Sequence, residues 1–218
     1  MNQNEIIRKT AEFVEREFSG DSSGHDWHHI RRVWKTAAVL CKREKADLFV
    51  VELAALLHDL DDWKFSENGA EIPSRAKAWM EACGVEEQTI QTVCGIVRNV
   101  SFQGAQVENG MKTLEGFIVQ DADRLDAIGA IGIGRAFAYG GYRNRPMYDP
   151  EAGTHMHASF EEYKNSKSAT VNHFYEKLLL LKDRMNTRAA KRIAERRHEI
   201  MVKFLDQFMS EWEGKDLE

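Results

Sequence analysis

Apolar residues recur at three- and four-residue intervals along most of this chain and almost nowhere alternate, so the pattern predicts helices and no sheet. The first expected helix runs from about Asn4 to Phe18, turning Ile6, Ile7, Ala11, Phe13, Val14 and Phe18 inward, and the run from Gly20 to Gly24 ends it. A second opens after Asp26, a residue suited to N-capping, and places Ile30, Val33, Trp34, Ala37, Ala38 and Cys41 on one stripe with His29 beside it. The third, capped by Asp47, differs in kind. From Leu48 to Leu57 only Glu52 is polar, so this helix is buried on nearly every side, and its short connection to the second makes the pair antiparallel.

Further on, helices are predicted from about Pro73 to Cys83, with Gly84 as the stop, and from about Glu86 to Val100, with Ile90, Val93, Cys94 and Val97 inward. The stretch from Phe102 to Gly110 reads as a loop, and another apolar run follows from Thr113 to Gly129. Between Ala127 and Gly141 the glycines fall in the order GxxGxG with no preceding strand, which excludes a dinucleotide fingerprint; small residues there let helices approach closely. The segment from Gly140 to about Ala158 is the longest irregular piece, with Gly140 and Gly141 as hinges of a loop that closes over substrate. Helix resumes from Phe160 through Val171, Phe174, Leu178, Leu179 and Leu181. A last helix from about Arg188 to Trp212 turns Ile193, Ile200, Met201, Phe204, Leu205 and Phe208 inward, its charges from Arg188 to Arg197 forming a solvated face. No repeat or linker interrupts the chain, so one all-α domain is expected over residues 1–218.

Two of these helices run apolar sequence straight into ionisable residues. Leu53-Ala-Ala-Leu-Leu ends in His58 and Asp59, and Phe117-Ile-Val-Gln ends in Asp121, Asp123 and Asp126. An imidazole and a carboxylate at the buried end of a core helix cost several kcal/mol unless something pairs with both, and a divalent cation suits them together. The alternative is a helix end that surfaces at His58 with Asp59, Asp61 and Asp62 in water. His29, His58, Asp59 and Asp123 would supply two nitrogen and two oxygen ligands from three helices, a set compatible with Mn²⁺, Fe²⁺, Mg²⁺ or Zn²⁺.

Charge narrows the partners. With 30 Lys+Arg against 35 Asp+Glu the net charge is -5, which gives no global attraction to nucleic acid polymers or acidic membranes. Any anion must be held locally. Cys41, Cys83 and Cys94 share no CxxC spacing and form an odd set, so reduced, buried thiols are expected. No leader-like N-terminus and no run of ~20 apolar residues is present, and a cytoplasmic protein is the expectation.

Three short motifs carry a family resemblance: Asp26-x-x-His29-x-x-Arg32-Val33, Leu56-Leu57-His58-Asp59 and Gln120-Asp-Ala-Asp123-Arg124-Leu125. Over about residues 25–129 the chain resembles the HD-domain superfamily of metal-dependent phosphohydrolases, with its H…HD…D pattern. The remainder, including the Gly140–Pro150 segment and Asn172-His-Phe-Tyr-Glu-Lys, is similar to a group of small bacterial HD hydrolases, some of which cleave nucleoside triphosphates. The resemblance implies a helical bundle with its metal site between core helices and C-terminal helices over about 158–213 packed on it. It implies His29, His58, Asp59 and Asp123 as metal ligands; Asp121 competes for the last place, and the Ala-Asp-Arg-Leu context favours Asp123. Asp62, where nucleotide-cleaving relatives more commonly carry Glu, would join Asp59 as a catalytic carboxylate. No histidine occurs from 59 to 154, so the extra histidines of two-metal members are missing and one ion is implied, Mn²⁺ first, with Mg²⁺, Fe²⁺, Ni²⁺ or Zn²⁺ as alternatives. Lys64, Arg124, Arg143 and Arg145 would meet the phosphates of a small phosphorylated substrate, a nucleotide above all. An inactive metal- or nucleotide-binding regulator is the alternative function, and a homodimer is among the expected assemblies.

Overall fold

The computed structural model describes residues 1–19, 26–61, 73–100, 110–151 and 168–217. Among them are nine α-helices and no strand: α1 (Gln3–Glu17), α2 (Trp27–Glu44), α3 (Leu48–Leu57), α4 (Ser74–Ala82), α5 (Glu87–Val100), α6 (Leu114–Asp126), α7 (Gly129–Tyr142), α8 (Thr170–Glu176) and α9 (Arg188–Trp212). Two 3₁₀ segments, Leu178–Arg184 and Lys215–Leu217, complete the described elements. The described residues divide within α6 into two units, one ending at Asp123 and one continuing from Arg124.

In the first unit α3 is the central rod, packed by α1, α2 and α5. Leu53, Ala54, Ala55, Leu56 and Leu57 are all completely buried, as a helix apolar on every side must be. Its one polar residue also has a partner: Glu52 Oε1 accepts from Trp34 Nε1 at 3.0 Å. Asp47 caps the helix through Phe49 N at 2.9 Å and Val50 N at 3.3 Å. Cys41, Cys83 and Cys94 are free and buried, and burial pushes each thiol above its ordinary range.

The second unit is organised around aromatic rings, with Phe137 of α7 meeting Phe174 of α8 and Phe204 and Phe208 of α9 at centroid distances of 5.8–6.0 Å. Here three expectations change. Gly140 and Gly141 lie inside the last turn of α7 and are not hinges; the helix ends at Tyr142, closed by Arg145 N on Gly140 O at 2.8 Å with Asn144 left-handed at φ 53°. Gly140 instead permits close approach, because a Cβ there would collide with the Thr170 hydroxyl. Residues after α7 are paired with the start of α8: Thr170 N and Val171 N donate to Pro146 O and Met147 O at 3.0 and 2.9 Å, which satisfies the open N-terminus of α8.

On α9 the inward stripe is Ala190, Ala194, Met201 and Leu205, leaving Ile193 half-buried and Ile200 46% exposed. Arg197 takes the intervening inward position. Its Nη1 donates to Leu125 O, burial lowers its pKa, and its side chain lies against Gly129, whose φ of +76° and lack of a Cβ both suit the contact. The charged stretch of α9 is therefore not a uniformly solvated face. Residues 102–109 of the expected loop, 152–158 of the expected closing segment and 160–167 of the expected following helix fall outside the described residues.

Candidate metal centre

Helix capping aims the first ligand. Asp26 accepts from His29 N at 2.8 Å and starts α2 so that His29 enters the buried stripe, while neighbouring His28 points to solvent. The second comes from the far end of α3, where the apolar helix terminates in the turn that carries His58 and Asp59. The two imidazoles meet edge to face, 5.4 Å apart at 70°, so the first turn of α2 lies beside the last of α3 and the two helices run antiparallel.

Between these rings sits the Asp59 carboxylate, 4% exposed. Its Oδ2 is 3.4 Å from His29 Nε2 and its Oδ1 is 3.5 Å from His58 Nε2. Asp123, on α6, brings Oδ1 to 3.6 Å from His29 Nε2 and keeps its side chain 29% exposed. The structure thus brings together all four residues implied as ligands. Asp121, the competitor, is completely buried.

These separations suit a shared ion. Donor atoms each about 2.0–2.2 Å from one centre lie roughly 3.0–3.5 Å from one another, and the donor atoms of His29, His58 and Asp59 all fall within 4.8 Å. The tautomer agrees. Ala55 O can only accept, so His58 Nδ1 at 2.8 Å donates to it, and in the neutral ring Nε2 then carries a lone pair. That Nε2 is buried with no hydrogen-bond partner in the structure, an arrangement a cation would complete.

The other implied site residues are placed differently. Asp62 and Lys64 lie outside the described residues. Arg124 is buried, and its Nη1 donates to Arg184 O. Arg143 and Arg145 stand 6.0 and 5.7 Å from the Tyr139 ring centroid, within cation–π range. Asp61 was legible only as an acid in water, yet its carboxylate accepts from Arg75 N at 3.1 Å and Ala76 N at 2.9 Å, across fourteen and fifteen residues of sequence. Proline at the helix start was the available signal: Pro73 has no side chain with which to cap α4.

No helix among the described residues is long and apolar enough to cross a membrane. A family model described as HD domain matches residues 26–128, the span that holds all four clustered residues. YpgQ of Bacillus subtilis is 38% identical over 100% of this chain and 98% of its own length. Its crystal structure in complex with ADP aligns with a TM-score of 0.75 at 35% identity, covering 94% of this chain and 97% of that one. An HD-superfamily hydrolase of Bacillus thuringiensis is 45% identical with a TM-score of 0.75, over 97% and 99% of the two chains. A protein of Lactobacillus plantarum gives a TM-score of 0.86 at 36% identity, over 98% and 100%. With its histidines and carboxylates gathered in an all-helical frame, this chain belongs to the HD-domain superfamily and has the HD-superfamily hydrolase fold.

Proposed function

We propose that the chain is a divalent-metal-dependent phosphohydrolase that cleaves a phosphoester or phosphoanhydride bond of a nucleotide, with nucleoside triphosphates as candidate substrates. The observation that carries this reading is the buried Asp59 carboxylate between two imidazoles at 3.4 and 3.5 Å, with Asp123 beside them. His29, His58, Asp59 and Asp123 would hold the ion, and their mixed nitrogen and oxygen set is compatible with Mn²⁺, the first candidate, as well as Mg²⁺, Fe²⁺, Ni²⁺ or Zn²⁺. When bound, such an ion polarises a phosphoryl oxygen and lowers the pKa of water. ADP in the YpgQ structure supports a nucleotide as the substrate class.

The chain's own residues divide the remaining work. Asp62, three residues after Asp59, takes the proton of the attacking water. Arg143 and Arg145, with Lys64 and Arg124, neutralise the phosphate tail. Asp123, more exposed than Asp59, marks the side of the cluster that substrate approaches.

A panel of nucleoside mono-, di- and triphosphates and simple phosphoesters, incubated with Mn²⁺ and quenched with chelator before chromatography, tests this directly. Metal-dependent product from at least one nucleotide is the expected result. Metal-replete protein that binds nucleotide but releases no product would make the chain a binding regulator.

A further inference from the structure

The turn that presents His58 and Asp59 is short and follows the last residue of α3, so its geometry depends on what fixes its outer end. On the inner side Leu60 N donates to Leu57 O at 3.1 Å. On the outer side two groups reach it from α4. Arg75 Nη1 donates to Leu60 O at 3.2 Å, and Asp61 receives the N–H groups of Arg75 and Ala76 at 3.1 and 2.9 Å. These amides belong to the first turn of α4, where a helix has no internal acceptors and Pro73 supplies no side-chain cap.

An anchor is only as firm as what it is tied to, and α4 is tied to α1 by several contacts. Trp79 stacks on Phe13 at 4.0 Å and 6°, and its Nε1 donates to Thr10 Oγ1 at 2.9 Å. Arg75 also pairs with Glu17 at the end of α1. α1 itself packs on α3. The turn is thus held within a closed circuit of α3, α4 and α1, and Asp61 is the link between the ligand-bearing turn and α4.

From these contacts we infer that Asp61 is a positioning residue for the metal centre: by capping α4 it fixes the turn in which His58 and Asp59 stand. The inference rests on the metal-site reading above. Asp61 acts through backbone amides and not as a ligand, so its loss weakens the hold on the ion more than a general loosening of α4 would.

Titration of the full chain with MnCl₂, reading free Mn²⁺ by electron paramagnetic resonance, separates the possibilities. Asp61→Ala should raise the Kd for Mn²⁺ about tenfold or more, within the range found for outer partners of metal ligands. Asp61→Asn keeps one of the two acceptor oxygens and should fall between Asp61→Ala and wild type. Met80→Val, which thins the buried face of α4 without touching Asp61, should lower Tm while leaving Kd within about twofold of wild type. A Kd for Asp61→Ala no weaker than that of Met80→Val overturns the inference. Should Asp61→Ala fail to fold, Asp61→Asn carries the test, since it keeps the side chain's shape and loses one acceptor of the two backbone bonds; a Kd equal to wild type there overturns the inference. If wild type itself takes up neither Mn²⁺ nor Zn²⁺, the metal-site reading fails, and the inference with it.

Discussion

Asp59 and Asp126 are equally buried carboxylates, 4% and 5% exposed, each at the end of an apolar helix, yet they meet opposite kinds of neighbour. Asp126 receives Arg135 Nη1 at 2.8 Å, a hydrogen-bonded ion pair with a cation from the chain itself. Asp59 has imidazole nitrogens at 3.4 and 3.5 Å, beyond good hydrogen-bond length, and His58 meets it through Nε2 while its Nδ1 proton is given to Ala55 O. A carboxylate closed by a guanidinium holds structure together. One set beside two imidazole nitrogens matches a metal-ligand set, and burial is the same in both cases, so the chemistry of these neighbours separates the two roles.

The largest expected effect comes from removing charge at the carboxylate between the imidazoles. Asp59→Asn keeps the shape and should lower phosphohydrolase turnover about 10³-fold or more, roughly 4 kcal/mol of transition-state stabilisation, measured at saturating Mn²⁺. Next, Arg143→Ala with Arg145→Ala should cut kcat/KM on a triphosphate about 10²-fold while metal content is unchanged; unaltered kinetics would remove these arginines from the phosphate site.

At the closed carboxylate the result should reverse. Asp126→Ala should cost about 2–3 kcal/mol and on the order of 5–10 °C in Tm, below the full value for a buried pair because Arg135 keeps some solvent contact, and should leave metal stoichiometry intact. Metal loss in that variant would erase the distinction between the two residues. The smallest effect concerns the thiols. Burial holds Cys41, Cys83 and Cys94 above their ordinary pKa, so the folded chain keeps protons that the unfolded chain, with pKa ~8.5, releases. That contribution is complete below the unfolded value and shrinks as pH rises past it, which a lower urea midpoint at pH 9.5 than at pH 8 would register.

Local chemistry made much of this legible. Asp26, Asp47 and Gly84 mark helix ends by capping rules that need no tertiary information, and α3 declares its burial by having one polar residue. His29 reads as part of an apolar stripe until the end of α3 is placed beside it. The departures share one cause. Arg197, Asp61 and Gly140 have roles set by partners distant in sequence, Leu125 O, the amides of Arg75 and Ala76, and Thr170, so periodicity assigns each of them to solvent or to a loop. Ile200 lies off the stripe that Ala190, Ala194, Met201 and Leu205 set, so it stays exposed although it is apolar.

Elemental analysis of the purified full chain, set beside His58→Ala and Asp59→Ala, tests the central claim most directly. Wild type should carry close to one divalent ion per chain after dialysis against Mn²⁺, and each variant should lose it together with part of its thermal stability, because one ligand is gone and its buried partners keep no countercharge. Equal metal content in all three proteins would contradict the assignment of this cluster as the metal centre.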